Sequence, residues 1–315
     1  MILYFCPEWK SISAGVRVIY RQVEILLKHG YQVALLHETP GFKYSQMPEV
    51  PIRYVNQPLN RRDIVVVPEG LPAVMAETAK LDLRLFVMAL SWCYVYSTLP
   101  DGTDWRAFHV ERVLTNSSVI ADFIAWAMRL PVHVFQWGIN PQLYYYSPQE
   151  KTRQLTYISR KAGEMQELKR VLRSREERFI DQLTWKGLEG LAEADYAREV
   201  RRSAVFLNMS RAEGLCCSVL EAMRSGTLVA GFNSVGGKRD LIGDGDGQNC
   251  ILAENLDYIT LAYRLEPLLN DLLADDLSRW EAMRQNALAA SAEYSMEAEE
   301  ASVVSMWRSI LESSR

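Results

Sequence analysis

The chain has 315 residues, 49% of them hydrophobic, and sets 35 Lys and Arg against 39 Asp and Glu for a formal charge of −4. That length is enough for the cores of two ordinary domains, and the slightly acidic balance argues against a general nucleic-acid binder, which carries a basic excess. Five cysteines, Cys6, Cys93, Cys216, Cys217 and Cys250, are odd in number and lack metal-ligand spacing, so they read as reduced thiols. Residues 1–6 are too short and uncharged for a signal peptide and no run approaches transmembrane length, so a soluble, cytoplasmic protein is expected.

Residues 1–6 have the composition of a buried strand. After a loop, residues 16–30 place Val16, Ile19, Val23, Leu26 and Leu27 at helical spacing and stop at a glycine. A second strand over 31–37 completes a βαβ unit, whose crossover is expected to be right-handed. Further strands are predicted over 52–56, 63–69, 83–91, 112–117 and 132–136, with an apolar helix over 119–128. The four histidines each have a structural reading: His29 as a helix-end cation, His37 at a strand end, His109 in a loop, His133 within a strand. Tyr144, Tyr145 and Tyr146 beside Pro148 are expected to pack near a hinge rather than bind a base.

The second half opens with a strand over 154–159, followed at once by Arg160 and Lys161. A charged helix spans 164–178, whose Lys169, Arg170, Arg173, Arg175 and Arg178 form either a solvated face or a contact for anionic lipid. A short strand is predicted over 179–183, a helix over 196–203, strands over 227–232 and 249–253, and helices over 257–270, 277–290 and 296–311. The two Asp-Gly pairs within 244–247 are ordinary turn chemistry and lack the oxygen-ligand count of a calcium loop.

Between these lies the stretch that carries chemistry. Residues 204–209 read as a buried parallel strand, and the run Ser210-Arg-Ala-Glu-Gly-Leu-Cys-Cys-Ser-Val-Leu-Glu-Ala-Met-Arg-Ser-Gly226 follows it across a strand-to-helix junction. Small residues and a helix start offer N–H groups and a positive helix end to an anion at the carboxyl edge of a sheet. A nucleotide diphosphate suits such a place. Glu213 would lie in the loop over the ligand and Glu221 in the first turns of the helix, as acceptors for two sets of hydroxyls. Ser218-Val-Leu-Glu221 also reads as a capping box, which is compatible with a role for Glu221 in binding.

The spacing Glu213-x7-Glu221, with the glycines of Gly231-Phe-Asn-Ser-Val-Gly-Gly237 downstream, resembles the nucleotide-sugar site of retaining GT-B glycosyltransferases of the family 4 type (glycosyl transferases group 1). The resemblance implies an α/β chain of two doubly wound, Rossmann-like parallel-sheet domains facing a cleft. An acceptor-side domain would cover 1–140, a linker 141–150, a donor domain 151–294, and a terminal helix over 295–315 would cross back to the first domain. It implies a retaining, metal-independent transfer of sugar from a UDP- or GDP-linked donor to a hydroxyl on a glycan, lipid or small molecule. No cofactor is implied, because the nucleotide-sugar is a co-substrate; no nucleic acid is a partner, and membrane contact would be peripheral at most. By the same resemblance Glu213, Arg160 and Lys161 are the catalytic set. Glu221, Gly214, Leu215, Cys216, Gly236 and Gly237 bind the donor, Asp240 stands where the family often has a glutamate, and Gly15 and Glu69 lie on the acceptor side. The family usually has paired glycines in the first loop and a histidine in the first domain; here Gly15 stands alone and Glu69 occupies a histidine-free stretch. A catalytically silent relative that binds a nucleotide-sugar or a partner is therefore the alternative, with a sugar-nucleotide epimerase a weaker third.

Overall fold

The computed structural model describes residues 1–10, 12–159, 162–233 and 241–313. The chain divides into two compact units, one of Met1–Gln136 with Glu297–Arg315, the other of Trp137–Met296. Each is built on its own parallel sheet.

In the first unit the strands are β1 (Ile2–Phe5), β2 (Val33–His37), β3 (Ile52–Tyr54), β4 (Ile64–Pro68), β5 (Arg84–Ala89), β6 (Arg112–Thr115) and β7 (Val132–Val134). They run in the order β3-β2-β1-β4-β5-β6-β7, all parallel, so the chain reverses its direction of growth between β1 and β4. Both faces of the inner strands are buried, which is why these segments read as unbroken apolar runs. One face, from Leu3, Phe5, Val65, Val67, Leu85 and Val87, packs on α2 (Pro72–Lys80), α3 (Cys93–Ser97) and α4 (Ser118–Met128). Helix α2 is absent from the sequence reading; it is short and half-exposed, with only Met75 and Thr78 buried, so its small apolar residues mark no clear buried stripe.

The opposite face takes α1 (Ala14–Lys28) and the last helix, α11 (Met296–Glu312). Ser13 caps α1 by accepting the Val16 N–H at 3.2 Å. Trp307 of α11 stacks on Phe86, with ring centroids 5.9 Å apart, and donates its indole N–H to the Tyr4 hydroxyl at 2.9 Å. Tyr4 in turn donates to Gln22 of α1 at 2.6 Å, so one buried phenol ties the sheet to both helices.

The second unit contains β8 (Thr152–Ile158), α5 (Ala162–Arg175), α6 (Arg178–Asp181), β9 (Thr184–Leu188), α7 (Glu193–Arg202), β10 (Ser203–Asn208), α8 (Cys217–Arg224), β11 (Leu228–Phe232), β12 (Cys250–Ala253), α9 (Tyr258–Leu273) and α10 (Glu281–Ala292). Its sheet runs β12-β11-β10-β8-β9, all parallel, with the reversal between β8 and β10. One core lies between the sheet and α5 and α9, through Met165, Leu168, Leu172, Leu261, Leu265 and Leu268.

One expectation is corrected here. Residues 179–183 are not a strand: Phe179 and Ile180 lie in α6, and Leu183 follows it. The strand is β9, one position further on, an edge strand with only Leu188 fully buried. A polar edge such as Thr-Trp-Lys-Gly-Leu carries little apolar signal, while the neighbouring Phe-Ile pair carries much. The basic residues of α5 and its surroundings also have partners: Lys169 lies over the rings of Tyr157 and Trp185, Arg170 pairs with Glu167, and Arg175 with Glu266. Among the described residues, no helix is long and apolar enough to cross a membrane.

Candidate functional site

In an open parallel sheet, loops leaving neighbouring strands in opposite directions open a crevice at the carboxyl edge where the order reverses. In the second unit that place lies between β8 and β10. Arg160 and Lys161 follow β8 in the sequence, but both lie outside the described residues, as do Gly236, Gly237 and Asp240. The other donor-side candidates hang from β10 and α8.

Strand β10 ends at Asn208, which is buried and accepts the Ser210 N–H at 3.3 Å, turning the chain out of the sheet. The Cys216 thiol also donates to the Asn208 side-chain oxygen Oδ1, at 3.9 Å, so this one side chain ties the start of the loop to its end. The Ser210 hydroxyl donates to the carboxylate of Glu213. Asn255, beyond β12, donates to the Arg211 carbonyl at 3.0 Å. Glu213 is half-buried on this braced loop, whereas Gly214, Leu215 and Cys216 are buried. Ser210 is a partner of Glu213 that the sequence reading overlooked, although Ser210-Arg-Ala-Glu213 has the Ser-x-x-Glu spacing that pairs a hydroxyl with a carboxylate.

Helix α8 begins at Cys217 with Cys216 as its cap residue, and no side chain makes the capping bond. The capping-box reading of Ser218 and Glu221 is therefore corrected: Ser218 is already inside the helix and Glu221 is its fifth residue. Glu221 lies half-buried in the second turn. Beside it stands Tyr196 of α7, whose hydroxyl is driven well above its ordinary pKa by burial and then by the Glu221 carboxylate. The three consecutive tyrosines pack within this unit. Tyr144 meets Tyr196 edge-on at 6.5 Å, Tyr145 lies under the Arg201 guanidinium at 4.5 Å, and Tyr146 covers Gly226.

Between β10 and β11 the backbones come unusually close. Gly231 has φ +146°, and a Cβ there would lie 2.0 Å from the Asn208 carbonyl oxygen, so only glycine fits. This contact sits at the carboxyl end of both strands, next to the loop that carries Glu213.

In the first unit the reversal lies between β1 and β4, and the two acceptor-side candidates stand there. Glu69 directly follows β4. It is 7% exposed, and one of its carboxylate oxygens accepts the amides of Leu90 and Ser91, at 3.2 and 2.9 Å, from the loop after β5. Burial pushes its pKa up to about 7 against the opposing pull of those hydrogen bonds. Gly15, in the first turn of α1, lies by the same loop: a Cβ there would be 3.8 Å from a Leu90 methyl, an ordinary contact. Packing therefore leaves room for a side chain at Gly15.

His37 is fully buried, with its Nδ1 3.7 Å from a Glu8 oxygen and its ring edge-on to Phe42 and Tyr44; burial lowers its pKa. Its surroundings are those of a packed core residue. All five cysteines are free thiols, and among the described residues no three His, Cys, Asp or Glu side chains gather as a metal site would require.

Residues 148–271 match the family model described as glycosyl transferases group 1. No curated protein sequence matches the chain. Among solved structures, the chain is similar to a sucrose-phosphate synthase from Thermosynechococcus elongatus, at 13% identity over 99% of both chains with a TM-score of 0.73. It is also similar to HepE of Anabaena in complex with UDP-glucose, at 15% identity over 98% of this chain and 99% of that one, TM-score 0.67. A glycosyltransferase from Rickettsia africae matches at 14% identity over 98% of both chains, TM-score 0.65. The segment 148–271, which contains Glu213 and Glu221, is of the glycosyl transferases group 1 family, and the chain that carries it has the GT-B fold.

Proposed function

We propose that this chain is a retaining, metal-independent glycosyltransferase that moves a sugar from a nucleoside diphosphate sugar to a hydroxyl acceptor. The observation that carries the reading is the placement of Glu213 and Glu221 on the loop and helix after β10, beside the strand-order reversal and inside the segment matched to group 1. A diphosphate at that edge would meet the amides of Gly214, Leu215 and Cys216 and the start of α8, and the resemblance adds Gly236 and Gly237 as donor-binding residues. Arg160 and Lys161 would neutralise charge growing on the leaving diphosphate. Glu213, braced by Ser210, would orient the donor sugar through its hydroxyls, and Glu221 would hold the ribose. The leaving phosphate would deprotonate the acceptor, with Glu69 on the acceptor side as a buried carboxyl able to take or give a hydrogen bond near neutral pH. A UDP-linked donor is favoured because HepE, of the same fold over its whole length, is seen with UDP-glucose.

The test is turnover. UDP-glucose and a panel of other UDP- and GDP-sugars are incubated with glycan, lipid-linked and small hydroxyl acceptors, and nucleotide release and product are followed with and without EDTA. Acceptor-dependent release of nucleotide, an unchanged anomeric configuration by NMR and insensitivity to EDTA are expected. Binding of nucleotide-sugar with no transfer to any acceptor would favour the silent relative, and inversion or loss of activity in EDTA would overturn the mechanism.

A further inference from the structure

The loop that leaves β1 in the first unit holds a large aromatic side chain out on an anchored backbone. Trp9 is 54% exposed, yet the chain that carries it is fixed from several sides. The Tyr44 hydroxyl donates to the Pro7 carbonyl at 2.8 Å and accepts the Trp9 N–H at 2.7 Å. Beside it, one oxygen of Glu8 accepts the amides of Glu38 and Thr39 at 2.9 and 2.8 Å. The Tyr44 ring is itself held edge-on by Tyr20 and Phe42, with centroids 6.3 and 5.0 Å away. An exposed indole on so fixed a backbone is preorganised, because a ligand that stacks on it has little left to order.

A buried carboxyl stands at the same sheet edge. Strands β1 and β4 are paired neighbours, so the loops that carry Trp9 and Glu69 leave the sheet about 5 Å apart. One leads to α1 and the other to α2, on opposite faces, which opens the edge between them. Glu69 is 7% exposed, both amides that it accepts fall on one oxygen, and no other described residue donates to its carboxyl. Its second oxygen is therefore available to a hydroxyl. The far end of the Trp9 loop returns to this place, since Gly15 lies by Leu90, whose amide Glu69 accepts.

An aromatic face with a carboxyl nearby matches the two surfaces of a sugar ring, an apolar face of C–H groups and a rim of hydroxyls. A lipid surface calls for a contiguous apolar patch, whereas the neighbours of Trp9 in the loop, Glu8 and Lys10, are charged. We infer that the acceptor is itself a carbohydrate, stacked on the Trp9 indole with a hydroxyl bonded to Glu69, and that Trp9 is the residue that selects it. This rests on the transferase reading given above and narrows its acceptor from any hydroxyl compound to a sugar ring. Tyr44 is a positioning residue, acting through the Trp9 backbone.

The experiment measures binding of glucose, galactose, mannose, N-acetylglucosamine, maltose and cellobiose to the chain saturated with UDP, by saturation-transfer NMR, with octanol as the lipid-like hydroxyl. Wild type is compared with Trp9→Ala, Trp9→Phe and Tyr44→Phe, and UDP binding of each is followed by titration calorimetry. At least one sugar should bind in preference to octanol. Trp9→Ala, which removes an exposed side chain, should melt within a few degrees of wild type and bind that sugar about tenfold more weakly. Trp9→Phe should retain most of the affinity, Tyr44→Phe should lose part of it, and UDP affinity should be the same in all four proteins. An unchanged sugar affinity in Trp9→Ala, or a wild-type chain that prefers octanol to every sugar, would overturn the inference while leaving the donor reading intact. A wild-type chain that binds neither UDP nor GDP would overturn the donor reading, and with it the assignment of any bound sugar as an acceptor.

Discussion

Asn208 and Gly231 face each other across β10 and β11 so closely that a methyl group on Gly231 would lie 2.0 Å from the Asn208 carbonyl oxygen. The same Asn208 uses its side chain to accept from Ser210 and from Cys216, at the two ends of the Glu213 loop. The position that admits only glycine therefore sits directly beneath the loop proposed to hold the donor.

Gly231→Ala should be destabilising on the order of 3 kcal/mol, since it adds both a backbone clash and an unfavourable φ. Urea denaturation followed by far-ultraviolet circular dichroism checks this, and a midpoint equal to that of wild type would show that the two strands can part without loss. Any Gly231→Ala protein that folds should also bind UDP more weakly, because the loop above the clash would shift.

Glu213→Ala should leave the fold intact and lower the rate of transfer about a hundredfold, the scale expected when a positioned reactant loses its orientation. Ser210→Ala, which removes the brace, should give a smaller loss in the same direction. Wild-type-like turnover in Glu213→Ala would count directly against the site.

Glu69 makes stability depend on pH. Its folded pKa is raised from 4.5 to about 7, so the folded state holds the proton more tightly than the unfolded chain does. The sign follows from linkage: this group's contribution is fully present below about pH 4.5 and is lost as pH rises through about 7. Wild type should therefore lose on the order of 3 kcal/mol between pH 5 and pH 8 from this residue. Glu69→Gln, whose amide oxygen can still accept from Leu90 and Ser91, should flatten that part of the profile. Parallel urea titrations of the two proteins at pH 5, 6.5 and 8 make the comparison, and superimposable pH profiles would show that Glu69 is not the titrating group.

The Tyr4 hydroxyl accepts from Trp307 and donates to Gln22, both buried. Tyr4→Phe leaves a donor and an acceptor without partners, so it should cost about 3 kcal/mol rather than the value of one ordinary hydrogen bond. Tyr4→Phe combined with Trp307→Phe removes the stranded indole N–H as well and should fall short of the sum of the two single losses. Thermal melts of the three variants measure this coupling.

Much of the architecture is legible in the linear chain because parallel strands buried on both faces must be apolar throughout. Residues 2–5, 33–37, 64–68, 84–89, 203–208 and 228–232 announce themselves in that way. Edge and half-buried elements do not: β9 and α2 bury too few apolar side chains to rise above their polar neighbours. The two carboxylates of the proposed donor site could be found from their spacing, since a strand, a loop and a helix in succession carry them to one edge of a sheet.

What the sequence determined by itself, then, is the succession of buried strands and helices and the pair Glu213 and Glu221 at a strand-to-helix junction. Tertiary structure alone decided that Ser210 and Asn208 brace the loop, that Cys216 rather than Ser218 is the cap residue of α8, that Tyr144 packs edge-on against Tyr196, and that Glu69 is buried on the amides of Leu90 and Ser91. The reason is physical. Periodicity records which faces are kept from water, and it does so locally; the partner of a buried polar group is chosen by whichever strand or helix packing brings alongside, and that neighbour can lie 21 residues away, as Leu90 does from Glu69, or 303, as Trp307 does from Tyr4.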